Sequence, residues 1–83
     1  MRVAIAEDDP VYRAGLVELL TAADVAIACQ ASSGRELLDY LAGELPDAVL
    51  MDLRMEGRPD DGLATAEVIS QRDPDLGILL LST

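Results

Sequence analysis

Apolar and polar positions fall into blocks along the chain, and the period of the pattern changes from block to block. Residues 2–6 (RVAIA) form a short apolar run bounded by charge, which reads as a buried strand. Residues 10–23 (PVYRAGLVELLTAA) carry Val11, Ala14, Val17 or Leu16, and Leu20 at helical spacing, with Asp9 suited to the N-cap and Pro10 to the first helical position. Gly15 lies inside this helix and weakens it by about 1 kcal/mol relative to Ala, so a neighbouring backbone is expected to pack close there. Residues 25–32 (VAIACQAS) read as a second strand. Residues 33–45 (SGRELLDYLAGEL) read as a second helix, with Ser33 and Glu36 at capping-box spacing and Leu37, Leu38 and Leu41 as its apolar stripe.

Pro46 precedes a third strand over 47–52 (DAVLMD), and the Gly, Pro and Asp content of 53–62 (LRMEGRPDDG) marks a loop. A third helix covers 63–72 and is stopped by DPDLG at 73–77; a fourth strand covers 78–82 (ILLLS). Strands that alternate with helices across short connections imply right-handed crossovers and a parallel sheet covered by helices on both faces. The near-continuous apolar runs AVLM and ILLL suit such a sheet. No repeat, low-complexity tract or linker divides the chain, so it is expected to be one domain or part of one.

Composition narrows the picture. With two tyrosines as its only aromatics, the chain must build its core from aliphatic residues. Sixteen acids against six bases, all arginine, give a net charge of −10. Such a surface repels nucleic acid and anionic lipid, and suits a cation or a partner with a basic patch. The single cysteine, Cys29, rules out an internal disulfide, and there is no zinc motif. The N-terminal stretch reads as neither a signal peptide nor a membrane span, and a cytoplasmic location is expected.

In a parallel sheet, whatever follows each strand appears at one edge, where open α/β sheets bind their ligands. Glu7 and Asp8 follow the first strand, Asp52 ends the third, and Ser82 and Thr83 end the fourth. If the first and third strands are neighbours, three carboxylates converge. Two unit charges 4 Å apart repel by about 4 kcal/mol at an effective dielectric of 20. A hard divalent ion removes that conflict, and an oxygen-only donor set without His or Cys favours Mg²⁺ or Mn²⁺ over zinc. Each acid also has a plainer reading. Asp9 is foremost a helix cap, Glu7 and Asp8 could be solvated acids near a helix N-terminus, and Asp52 could simply end its strand.

The stretches VAIAEDDPVYRAGL, PDAVLMDLRM, DGLATAEVI and PDLGILLLST, in this order and spacing, resemble the receiver domain of bacterial two-component response regulators, in particular those with a C-terminal helix-turn-helix output. The resemblance spans residues 1–83. It implies a flavodoxin-like sheet and a phosphoacceptor at Asp52 that takes a phosphoryl group from a sensor histidine kinase. It further implies an Mg²⁺ site in which Asp8 and Asp52 bind directly, Glu7 acts through water, and the backbone carbonyl of Arg54 completes the protein ligands. Ser82 matches the switch hydroxyl, and the backbone N–H groups of Arg54 and Thr83 match those that hold phosphoryl oxygens.

Three departures stand out. The family usually has proline directly after the loop methionine, whereas Met55 is followed by Glu56, Pro59 comes later, and the loop looks slightly longer. No lysine is present, although the family's active-site lysine follows a fifth strand. Four strands and three helices of the expected five and five are covered, so the fourth helix, fifth strand, last helix and any DNA-binding output domain would be absent. The ILLL strand would then be an unpaired apolar edge, and self-association through it is expected. Three other functions fit the sequence less well. A phosphatase that forms an aspartyl phosphate would want an Asp-x-Asp after its strand, where this chain has Asp52, Leu53 and Arg54. A flavodoxin-like cofactor binder would want a phosphate-cradling loop after the first strand, where this chain has three acids. An unphosphorylated interaction module would not need the full set of Glu7, Asp8, Asp52 and Ser82.

Overall fold

A computed structural model describes residues 1–55 and 61–82. Seven elements alternate: β1 (Arg2–Ala6), α1 (Pro10–Ala22), β2 (Ala26–Ala31), α2 (Gly34–Leu41), β3 (Ala48–Asp52), α3 (Asp61–Arg72) and β4 (Gly77–Leu81). The strands form one parallel sheet in the order β2-β1-β3-β4. The chain therefore leaves β1 on one side, returns past it, and continues on the other. This makes the gap between β1 and β3 the point where the strand order reverses.

Alternation along the strands splits the core into two layers. Ala4, Ala6, Val49 and Met51 face α2 and α3, together with Leu37, Leu41, Met55, Ala66 and Ile69. Val3, Ile5 and Leu50 face the other way, against Leu16, Val17 and Leu20 of α1. The α1 stripe is thus shifted from the expected one. Val11 is 80% exposed and Ala14 is exposed too, because the helix rests on the sheet through its middle and last turns. Gly15 is corrected as well: no atom of the described residues lies within 4 Å of the position a Cβ would take.

The helix ends follow local chemistry. Asp9 caps α1, its carboxylate accepting from the N–H groups of Val11 (2.9 Å) and Tyr12 (3.3 Å). The other end closes on Asp24 in the left-handed region (φ 63°), while the Val25 N–H reaches the Leu20 carbonyl at 3.0 Å. At α2 the Ser33 hydroxyl accepts from the Glu36 N–H at 3.1 Å, but the Glu36 carboxylate takes the Ser32 hydroxyl, so only half of the capping box forms. That helix stops at Leu41, four residues before the expected end. The Gly43 and Glu44 N–H groups turn back onto the Tyr40 carbonyl, and Glu44 is drawn out to pair with Arg2 at 3.0 Å. In α3 the helix begins two residues earlier than expected, at Asp61. β4 is an edge strand and only half-buried, with Leu79 62% exposed, as expected of the ILLL run in this chain. The expected lengthening of the loop around Pro59 lies outside the described residues.

Candidate functional site

Three carboxylates meet where the strand order reverses. The Glu7 N–H donates to the Ala31 carbonyl at 2.9 Å, which carries the β1–β2 ladder one residue past the strand. Alternation puts Glu7 on the face of Val3 and Ile5, and puts Asp52 on the face of Leu50. The two acids therefore emerge on the same side of adjacent strands, on the α1 side. Asp8 follows Glu7, and one oxygen from each of Glu7, Asp8 and Asp52 lies within 4.8 Å of the others. Glu7 and Asp52 are 3% and 4% exposed, while Asp8 is open to solvent.

The surroundings hold these groups by backbone contacts. The guanidinium of Arg13, on the first turn of α1, donates to the Glu7 carbonyl at 2.6 Å. The Leu53 N–H donates to the Leu81 carbonyl at 2.9 Å and ties the end of β3 to β4. The Arg54 N–H donates to Asp52 Oδ1 at 3.2 Å. Burial pushes the Glu7 carboxyl up to about 7, and the hydrogen bond and charge of Asp52, followed by the charge of Asp8, push it the same way. Glu7 Oε2 is buried without a hydrogen-bond donor among the described residues. A buried acceptor facing two more carboxylates fits a hard cation: all donors are oxygen, and the chain has no histidine.

Of the residues expected from the sequence, Glu7, Asp8, Asp52 and the Arg54 N–H are brought together here. Ser82 follows the last residue of β4 and is exposed, one position past the Leu81 that anchors β3. Thr83 lies outside the described residues. Two contributors were not foreseen. Arg13 lay inside a helix read only for its apolar stripe. The composition of 53–62 places Gly62 in a loop, but it is the second residue of α3 and its N–H donates to the Leu53 carbonyl at 2.9 Å. A glycine at the start of a helix that follows a strand carrying a site was the available signal.

The order β2-β1-β3-β4, with the acids at its reversal, defines a flavodoxin-like α/β domain. Residues 3–83 match the response regulator receiver domain, and the chain belongs to that family. It is 39% identical over 79 residues to the DNA-binding transcriptional regulator NtrC of Klebsiella pneumoniae, covering 94% of this chain and 16% of that protein. It is 31% identical over 83 residues to the probable transcriptional regulatory protein NarL of Mycobacterium tuberculosis, covering 99% of this chain and 38% of that one. The solved receiver domain of that organism's putative response regulator NarL superposes with a TM-score of 0.86 at 32% identity, over 98% of this chain and 64% of that one. A protein-glutamate methylesterase/protein-glutamine glutaminase of Anaeromyxobacter dehalogenans is also similar, at 37% over 81 residues, covering 95% of this chain and 23% of that protein. The chain thus spans well under half the length of these curated relatives.

Proposed function

We propose that this domain is the phosphoacceptor module of a two-component response regulator, and that Asp52 accepts the phosphoryl group of a sensor kinase phosphohistidine. The observation that supports this most is the meeting of Glu7, Asp8 and Asp52 within 4.8 Å, with Glu7 Oε2 buried and lacking a donor among the described residues. In the transfer, a carboxylate oxygen of Asp52 forms the new P–O bond while the P–N bond breaks. The imidazole leaves with the electron pair and then takes up a proton. Bound Mg²⁺, or Mn²⁺, would be held by Asp8, Asp52, the Arg54 carbonyl and, through water, Glu7, and would offset negative charge between Asp52 and the incoming group. Arg54 already aims its N–H at the Asp52 carboxylate, and the same donor serves a phosphoryl oxygen. Ser82 supplies the switch hydroxyl, and the Thr83 N–H a second phosphoryl donor. The new charge at Asp52 biases a two-state surface, which an output domain reads as transcriptional control.

The domain acts as an acceptor in the cytoplasm and does not turn over substrates. DNA contact belongs to a separate domain, since a surface of net charge −10 repels it. No helix among the described residues is long and apolar enough to cross a membrane. Incubation with acetyl phosphate and Mg²⁺ is expected to add one phosphoryl group at Asp52, seen by intact mass and peptide mapping. Asp52→Asn and EDTA should each abolish it; normal labelling of Asp52→Asn ends this reading. The phosphatase alternative is distinguished by steady hydrolysis of a generic phosphoester, which is not expected.

The 83-residue polypeptide is further expected to self-associate through the outer edge of β4, where Leu79 stands exposed on an open strand. Sedimentation velocity should show concentration-dependent species that Leu79→Lys suppresses. A sharp monomer over the whole concentration range rejects the edge as an interface.

A further inference from the structure

The first turn of α3 is wedged between the end of β3 and the start of α2, and a glycine makes the closest approach on each side. A Cβ at Gly62 would lie 2.1 Å from the Asp52 carbonyl oxygen, 2.7 Å from Leu53 Cα and 2.9 Å from the Asp52 carbonyl carbon. All three are backbone atoms, so no rotamer change makes room. At Gly34, the first residue of α2, a Cβ would lie 2.1 Å from Thr65 Oγ1 and 3.2 Å from Asp61 Oδ2. Gly34, Gly62 and Thr65 are buried, and Asp61 Oδ2 is enclosed without a donor among the described residues. The Gly62 N–H to Leu53 carbonyl hydrogen bond ties this turn to the end of β3, and the absence of a Cβ at each glycine sets how closely the elements approach.

We propose that Gly62 is a positioning residue for the Asp52 carboxylate, and that Gly34 supports it from the far side of α3. The inference rests on the reading of Asp52 as phosphoacceptor. The backbone that a side chain at 62 would strike belongs to Asp52 itself. It is continuous with the Leu53–Arg54 turn whose N–H meets Asp52 Oδ1. A displaced carbonyl therefore carries the carboxylate away from Glu7 and Asp8. Two glycines set the distance that the site chemistry needs, although neither touches a substrate or ion.

Gly15 provides a matched control, because it is a helical glycine with open space around its Cβ position. The variants Gly62→Ala, Gly34→Ala, Gly34→Ala/Thr65→Ala and Gly15→Ala are compared by Mn²⁺ titration and by the Arg54 amide proton resonance. The amide is read in the metal-free protein, because paramagnetic Mn²⁺ would broaden it, and it reports the Asp52 carboxylate independently of metal affinity. Gly62→Ala is expected to weaken Mn²⁺ binding about tenfold or more, to shift the Arg54 amide, and to slow labelling by acetyl phosphate about 100-fold. Gly15→Ala should leave all three unchanged. If Gly62→Ala does not fold, Gly34→Ala decides: its loss of affinity should be restored by Thr65→Ala, which removes the clashing hydroxyl. A folded Gly62→Ala with wild-type Mn²⁺ affinity and an unmoved Arg54 amide overturns the proposal, as does a Gly34→Ala loss that Thr65→Ala does not restore. Failure of the wild type to label at Asp52 overturns only the functional reading, since the amide still reports position.

Discussion

On one face of the sheet, α2 and α3 enclose a layer in which Leu37, Met51, Met55 and Ile69 are almost inaccessible. On the other face, α1 lies over Val3, Ile5 and Leu50 without fully burying a single residue of its own. The acids belong to the second face. Strand alternation puts Glu7 in line with Val3 and Ile5, and Asp52 in line with Leu50. Yet the backbone of Asp52 is gripped from the first face, where α3 abuts its carbonyl through Gly62. The difference teaches a division of labour. The densely packed layer fixes where the Asp52 carboxylate starts, and on the thin-layer side the exposed Asp8 opens the acid cluster to solvent. Regions that must move are drawn from the less stable parts of a fold.

The largest expected effect tests the dense face. Ile69→Ala should destabilise the chain by about 2–5 kcal/mol, the cost of a cavity in a core that cannot collapse. Leu16→Ala on the half-buried α1 face should cost only about 1 kcal/mol, a fraction of a full side-chain burial. Urea denaturation measures both. Equal losses at the two positions would remove the distinction between the faces.

The next effect belongs to the site. Glu7 holds its proton up to about 7 in the folded chain without metal, against 4.5 as the ordinary value. Its contribution to stability is therefore fully present below about pH 4.5 and is lost as pH rises through about 7. Metal-free stability should fall across that window, Glu7→Gln should flatten the slope, and Mg²⁺ should stabilise most at the alkaline end. A pH-independent difference between wild type and Glu7→Gln in EDTA would show that the charge is not confined as the burial of Glu7 requires.

Most of the scaffold was legible in the sequence because its signals are local. Asp9 announces its cap, the period changes announce strands and helices, and Pro46 announces the entry to β3. The convergence of Glu7, Asp8 and Asp52 was legible once β1 and β3 were set side by side, because strand ends in a parallel sheet share an edge. What stayed hidden depends on contacts distant in the chain. Glu44 leaves α2 for Arg2, 42 residues away, which no periodicity within 33–45 records. Gly15 and Gly62 look alike as letters in or near a helix, yet one faces open space and the other the backbone of Asp52. The exposure of Val11 likewise depends on how far α1 reaches over the sheet, not on its spacing.

The smallest effect compares the two faces at their helix caps. Asp9 is exposed and caps α1, whereas Ser33 is buried and caps α2. Removing either oxygen orphans a backbone donor, and Ser, Thr or Asp at an N-cap is worth about 0.5–2 kcal/mol over Ala. In Asp9→Ala the Val11 and Tyr12 N–H groups turn to water. The lost attraction of a negative charge for the helix N-terminus is partly offset by relief from Glu7 and Asp8 nearby. In Ser33→Ala the Glu36 N–H is left in a partly buried setting where water replaces the hydroxyl poorly, and an unsatisfied buried donor costs its full desolvation. Ser33→Ala should therefore be the costlier change, near the upper end of that range, and Asp9→Ala near the lower. Matched urea curves at one pH measure the two, and a larger loss for Asp9→Ala would mean that α1 is more firmly built into the fold than its shallow packing implies.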